Sequence, residues 1–418
     1  MKRVLIGVAV LVLIAAGAAA AWFWTSRHPG DQRGSPTKEF DTSDEPGTVT
    51  RPQAVVHETP WPTFGYDAAR TRFAPEFHLR PPYEKVWVAP GHSVVEFPPV
   101  IADGRLYFGV NKGAIYAVDA KTGQIAWQRK YGRCIAASPT VGKGIVYVPL
   151  MVPLPCRGES LKRDAPGYML ALDAKTGAQL WRFQAGAIES SPLLANGLLY
   201  FGSWDNKVYA LDVRTHRARW VFKTGDEIKG APALAKGTIF VGSYDGHVYA
   251  LNARTGRLKW KASAQSRLGG LGTFYSTPAV AYGRVYIGNT DGKVYAFGAA
   301  TGDRLWVTGT GGYVYSSPAI WRQTVYIGSA DGRFYALNAA TGAARWSFPA
   351  RGGVFGSPTV LDGLVYFATV KRRTFALDAR TGRRVWSFPD GSYTAVITDG
   401  ERLYVDGATR VYALSPTG

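Results

Sequence analysis

From residue 61 onward, short apolar runs alternate with clusters of turn residues. One stretch reads Ser191-Pro-Leu-Leu-Ala-Asn-Gly197, then Leu198-Leu-Tyr-Phe-Gly-Ser203, Trp204-Asp-Asn-Lys207, Val208-Tyr-Ala-Leu-Asp212, Val213-Arg-Thr-His216 and Arg217-Ala-Arg-Trp-Val-Phe-Lys223. Four runs rich in aromatic and β-branched residues, broken by turn formers, predict four antiparallel strands, A to D. Asn196-Gly197, Lys236-Gly237, Asp362-Gly363 and Asp399-Gly400 mark the A–B turn, and Asp245-Gly246, Asp291-Gly292 and Asp331-Gly332 the B–C turn. Such dipeptides supply the positive φ that tight hairpins require. No segment beyond the N-terminal apolar run sustains a 3.6-residue period, so helices are not expected there.

The unit recurs. Ala-x-Asp-x-x-Thr-Gly-x-x-x-Trp spans Ala117 to Trp127 and returns, with small variations, ending at Trp181, Trp220, Trp260, Trp306, Trp346 and Trp386. The tryptophans lie 39 to 46 residues apart, with one gap of 54 before Trp181. Four strands repeated at this period predict an all-β fold, a β-propeller. The ends of the chain count its blades. After Trp386 only strands A, B and C follow, between residues 394 and 414, whereas residues 83–89 hold an orphan strand D with Trp87. Pairing the two ends closes an eighth blade and removes an open sheet edge. The tryptophans are expected to fill the wedge between blades, and the glycine of Thr-Gly to leave room for the neighbouring indole. His216 replaces that glycine once, so one junction should pack differently.

These units resemble the PQQ-like repeat, and the Ala, Asp, Thr-Gly and Trp frame looks like its tryptophan-docking motif, over residues 61–418. The segment from Trp61 to Arg72 is also similar to the start of many such propellers. Two branches follow from the resemblance. BamB-like propellers are non-catalytic scaffolds of the cell envelope, which implies envelope proteins or peptides as partners. Quinoprotein dehydrogenases bind pyrroloquinoline quinone (PQQ) and calcium, beneath a disulfide between adjacent cysteines. This chain has no Cys-Cys pair and no acidic cluster beyond its turn residues, so no cofactor, metal or catalytic residue is expected. The leading expectation is a BamB-like scaffold without enzymatic activity. The alternatives are a PQQ-dependent dehydrogenase and an envelope sensor or carbohydrate-binding module.

The N-terminus sets the expected compartment. Met1-Lys2-Arg3 precedes 21 uncharged residues from Val4 to Trp24. As a helix these would extend about 31 Å, enough for a bilayer core. Residues 1–24 are therefore expected to be an uncleaved signal anchor, a single transmembrane helix with the rest of the chain outside the cytoplasm. Residues 25–60 are rich in Pro, Gly, Ser, Thr and acidic residues and read as a disordered linker.

Charge and cysteines then narrow the surface. The formal net charge is +19 over 418 residues. Lys121, Lys175, Arg214, Arg217, Arg219, Arg254, Arg257, Lys259, Arg380, Arg383 and Arg384 cluster near C–D turns, a basic rim suited to an anionic surface. Nucleic acid is not expected outside the cytoplasm, and a monomer is. The two cysteines, Cys134 and Cys156, both fall on the face shared by the D–A and B–C connections, here the top, and should pair in an oxidising compartment. The same face offers a candidate ligand funnel. Glu96, Ala136, Glu189, Lys229, Tyr275, Tyr315, Phe355 and Ser392 occupy equivalent positions before strand A, with charge on one side and aromatics on the other.

Overall fold

The computed structural model describes residues 14–15, 17–21, 30–48, 58–156, 165–265, 270–391, 393 and 396–417. Eight four-stranded antiparallel sheets are arranged as blades. Blade 1 consists of Val100–Ala102, Arg105–Gly109, Ala114–Asp119 and Ile125–Lys130, strands A to D from the axis outward. Blades 2 to 7 begin at Thr140, Leu193, Ala233, Ala279, Ala319 and Thr359. Blade 8 takes Val396–Thr398, Leu403–Asp406 and Arg410–Pro416 from the end of the chain and Tyr83–Pro90 from near its start. The closing pair runs from Tyr83 opposite Pro416 to Pro90 opposite Arg410. Residues 83–89 pair with residues 411–416, two positions beyond the end of the expected 394–414 span.

The register explains the repeat motif. The motif alanine lies opposite the tryptophan in every copy: Ala117 faces Trp127, Ala210 faces Trp220 and Ala296 faces Trp306. In blade 8 Ala413 faces Trp87 in the same way. A methyl group opposite each indole leaves the sheet room to turn it toward the next blade. There the indole N–H donates to a backbone carbonyl, as from Trp127 to Ala174 at 3.0 Å and from Trp306 to Ala339 at 2.9 Å. The Thr-Gly glycine lies under that indole: a Cβ on Gly302, whose φ is +78°, would come within 2.7 Å of the Trp260 ring. His216 departs from this, holding φ +57° and stacking on Trp181 at 4.7 Å between ring centroids. That junction keeps its contact by replacing space with a second ring. Asp119 and Asp173 act as turn formers, their carboxylates accepting the backbone N–H and hydroxyl of Thr122 and Thr176.

The A–B turns of blades 1 to 7 hold two successive positive φ values, as at Asn196 (52°) and Gly197 (76°), whereas at Asp399-Gly400 only the glycine (94°) is positive. In the Asp-Gly B–C turns only the glycine is left-handed, as at Gly246 (77°), and Asp245 instead binds the His247 N–H at 3.0 Å. The two dipeptide classes therefore make different turns.

Residues 61–74 do something the repeats do not reveal. They cross the lower end of the central channel as a plug, entering and leaving on the bottom face. The innermost strand of a propeller blade has a free edge, whose N–H groups need partners. Plug carbonyls accept from Ile101, Val141, Leu234, Val280, Ile320 and Val360, at 2.7 to 2.9 Å. These residues occupy the same position of strand A in six blades. At blades 3 and 4 the Arg70 guanidinium donates to the carbonyls of Pro192 and Pro232.

Part of the expected linker, residues 30–48, is ordered on the rim of blades 5 and 6. Gln32 bridges Val307, and the buried Arg284 donates to the carbonyls of Ser35, Lys38 and Glu39. A segment poor in large apolar residues is held here by backbone carbonyls around a buried cation, which a composition argument does not register. The expected anchor over residues 1–24 lies mostly outside the described residues, and among those described no helix is long and apolar enough to cross a membrane.

Candidate functional site

The plug closes the channel below, so the channel becomes a cup open at the top. Its cavity of about 320 Å³ has Trp61, Phe64, Gly65 and Arg72 of the plug among the residues lining it. Higher up it is lined by Glu96, Lys229, Tyr244, Tyr275, Tyr315, Phe355 and Tyr393. Five of the funnel residues anticipated from the repeat alignment, Glu96, Lys229, Tyr275, Tyr315 and Phe355, thus share one cavity. Glu189 sits behind them, bonded to Tyr275. Ala136 packs with the disulfide and Trp204 on the wall rather than in the cavity, and Ser392 lies outside the described residues.

The aromatic half is a continuous wall. Tyr275 meets Tyr315 edge to face at 5.2 Å, and Tyr315 meets Phe355 likewise at 5.5 Å. The charged half is a network. Lys229 Nζ lies 3.3 Å from Glu227 and 3.8 Å from Glu189. It also sits over the rings of Trp204 at 4.1 Å and Tyr244 at 4.7 Å. Glu189 accepts from the Trp204 indole at 3.0 Å and the Tyr275 hydroxyl at 2.8 Å. Burial raises the Glu189 carboxyl above its ordinary value, and burial followed by the Glu189 charge raises the Tyr275 hydroxyl well above its own. Trp204 and Tyr244 both lie in B–C turns, where the funnel alignment, which used only the D–A loops, could not find them. Their signal is an aromatic residue in a turn otherwise made of polar residues.

Glu96 is the outlying acid. Its carboxylate has one weak contact, Asn111 Nδ2 at 3.4 Å. Burial and then the Glu189 charge push its pKa from 4.5 up to about 7, against the Asn111 hydrogen bond. The folded protein thus holds this proton to higher pH than the unfolded chain does. Its contribution to stability is complete below pH 4.5 and is lost as pH rises through 7. Glu96→Gln is expected to leave stability unchanged at pH 4.5 and to raise it at pH 8.5, by up to about 3 kcal/mol. Denaturant titrations at the two pH values check this, and equal stabilities at pH 8.5 would refute it.

Below the charged network the cup wall changes character. Ser191, Thr277, Ser317 and Ser357 line it with hydroxyls. Each hydroxyl oxygen accepts a backbone N–H from the preceding blade, from Ser138, Ala231, Thr277 and Ser317 at 2.9 to 3.1 Å. These bonds stitch inner strands together and leave the hydroxyl hydrogens to point elsewhere. On the top of blade 2, Cys134 and Cys156 form the expected disulfide, with Cα atoms 5.7 Å apart. Residues 157–164, which follow Cys156, lie outside the described residues. The eleven basic-rim side chains are all exposed.

The family model described as outer membrane protein assembly factor BamB matches residues 165–312 and 308–418. A second, the β-propeller domain of glucose, ethanol and alcohol dehydrogenases, matches residues 61–188. Among curated proteins, BamB of Burkholderia pseudomallei is 29% identical over 128 residues, 30% of this chain and 30% of that protein. The cytochrome c-type 1-butanol dehydrogenase of Thauera butanivorans is 28% identical over 149 residues, 33% of this chain and 20% of that one. The chain thus spans less than a third of the length of either curated relative. Among solved structures, BamB from Moraxella catarrhalis superposes with a TM-score of 0.63 at 20% identity, covering 81% of this chain and 98% of that one. Quinohemoprotein alcohol dehydrogenase from Comamonas testosteroni gives 0.68 at 16% identity, covering 85% and 80%. At these identities the structural likeness is one of fold.

The dehydrogenase branch makes the fit of PQQ and calcium worth testing. Among the described residues no group of three His, Cys, Asp or Glu side chains is placed to hold a metal. The disulfide joins residues 22 apart rather than neighbours. The lysine of the mouth is already shared by two glutamates, and Glu96 adds a third acid to the space a tricarboxylate would enter. The donor set present does not fit that pair.

Proposed function

Since this chain belongs to the PQQ-like repeat family of β-propellers, in its BamB-like form, we propose that it is a non-catalytic scaffold of the cell envelope. The reading places the propeller outside the cytoplasm, tethered as a monomer by the apolar segment over residues 1–24. The basic rim faces an anionic surface, and the mouth of the cup takes an extended segment of an envelope protein. The observation that carries it is the divided mouth: an aromatic wall of Tyr275, Tyr315 and Phe355 faces the network of Glu189, Glu227 and Lys229. Aromatic rings accept flat apolar or backbone surface, and charged side chains fix its orientation.

A second reading, a PQQ-dependent dehydrogenase, draws on the sequence likeness over residues 61–188. One experiment separates the two. A photo-crosslinking residue at the exposed Tyr313, beside Tyr315 at 6.0 Å, is expected to capture envelope proteins in intact cells. A Tyr275→Ala, Tyr315→Ala double variant should lose that capture. Purified protein given PQQ and calcium should reduce no dye with alcohols or sugars. Dye reduction, or crosslinking indifferent to the aromatic pair, would sink the scaffold reading.

A further inference from the structure

We propose that the cup beneath the mouth binds a small monoanionic carboxylate carried on an aromatic or apolar body, with Arg72 as its anion partner. The inference does not depend on the scaffold reading, and it concerns the depth of the cavity rather than its rim.

Arg72 is 3% exposed and lines the cavity. One face of its guanidinium lies over the Phe64 ring at 4.1 Å. Its Nε and Nη2 are buried without an acceptor among the described residues. Arg70, two residues earlier in the same plug, is the internal comparison. It is 0% exposed, yet its guanidinium donates to Thr63 Oγ1 and to the carbonyls of Phe64, Pro192 and Pro232. One arginine is built into the fold on four acceptors, and the other lines the cavity with two donors that have no acceptor among the described residues. A buried cation without a partner is costly and marks a place where an anion completes the site. Asp67, the acid near it in the plug, is committed to the Thr71 backbone N–H and hydroxyl. Burial, then the Arg70 charge, lowers the Arg72 pKa to about 9, so the group is still cationic at neutral pH.

A second, independent observation points to the same ligand class. The hydroxyls of Ser191, Thr277, Ser317 and Ser357 already accept backbone N–H groups. What they retain for a ligand is their hydrogens. An arginine and four hydroxyl donors on the wall call for an acceptor-rich, negatively charged group. Apart from Glu96, Lys229 and Thr359, the rest of the wall is aromatic, aliphatic or glycine, so the body of the ligand is apolar. The cavity of about 320 Å³ lies at the lower end of the roughly 300–1,000 Å³ range of small-molecule pockets. Glu96, Glu189 and Glu227 around the mouth oppose a ligand with several negative charges, which selects a monoanion.

The test uses the full chain in detergent, 2-naphthoate as probe, and 2-naphthamide as its neutral isostere, followed by ligand fluorescence. Wild-type protein should bind the naphthoate at least about tenfold tighter than the amide, in keeping with a charge-assisted pair of hydrogen bonds. Arg72→Gln should erase that preference, and Arg72→Lys should keep part of it. Without ligand, Arg72→Gln should melt no lower than wild type, because it removes an unpaired buried charge; an arginine serving only the fold would make the variant melt lower. Equal affinity of wild type for the two probes, a preference that survives Arg72→Gln, or no saturable binding of either probe would overturn the proposal. If the glutamine variant fails to fold, the wild-type preference and the lysine variant still decide it.

Discussion

Arg70→Met is expected to destabilise the propeller by about 4–5 kcal/mol, read as a lower urea midpoint with an unchanged slope. Methionine keeps most of the buried stem and removes every donor. Four acceptors then lose a bond at once: Pro232 O and Thr63 Oγ1, each at 2.9 Å, Phe64 O, and Pro192 O at 3.3 Å, which keeps only a weak 3.4 Å bond from the Thr63 hydroxyl. Each buried acceptor left unsatisfied costs about 1–3 kcal/mol, and shared relaxation keeps the sum below simple addition. Two of the carbonyls stand just before strand A of blades 3 and 4, so the loss also loosens the plug at blade 3, where among the described residues it makes no backbone pair. Arg70→Lys should recover little, since one ammonium cannot span two blades as a planar guanidinium does. A loss under about 1 kcal/mol would show that the plug does not help to hold the ring.

The second large effect belongs to the wedges between blades. Trp306→Ala is expected to cost about 4–5 kcal/mol, combining roughly 3–5 for the lost packing with a hydrogen bond worth about 1. Trp306 is 0% exposed, and its indole donates to Ala339 of the next blade at 2.9 Å. Trp386 offers the contrast. It is partly exposed, and among the described residues its indole donates no hydrogen bond to the closing blade. Its contacts are with rings, Tyr83 at 5.3 Å and Phe388 at 5.9 Å. Trp386→Ala should therefore cost about 2 kcal/mol less than Trp306→Ala. Equal losses would mean that docking on the neighbouring turn adds nothing to plain burial.

The fold was legible because its signal is repeated. A strand of three residues such as Val100–Ala102 carries almost no pattern by itself, but the same alanine, turn and tryptophan recurring down the chain leave one architecture. The closing blade was legible because each end held the fragment the other lacked, Trp87 at one and Ala413 at the other. The funnel residues could be named because they share a position relative to strand A, so finding one position found several. What could not be read is whatever occurs once. The plug is a single segment whose partners are backbone N–H groups of other blades, and backbone groups carry no sequence signature. Arg70 and Arg72 look alike in a sequence; only the placement of Pro192 and Pro232 around one of them separates a tie from an orphan. Residues 30–48 are similar, since Arg284 gathers carbonyls from a segment whose side chains say little.

The plug has one more consequence, and it concerns time. Residues 61–74 emerge early in synthesis, yet their hydrogen-bonding partners are spread from Ile101 to Val360. The strand Tyr83–Pro90 likewise waits for Arg410–Pro416. The part of the domain made first is thus among the last that can be completed. Contacts of such long sequence separation fold slowly. Until the last blade arrives, Trp61, Phe64 and the apolar inner strands are exposed to whatever else is present. A chain cut short before its final strand would carry an unpaired sheet edge, open to pairing with other chains.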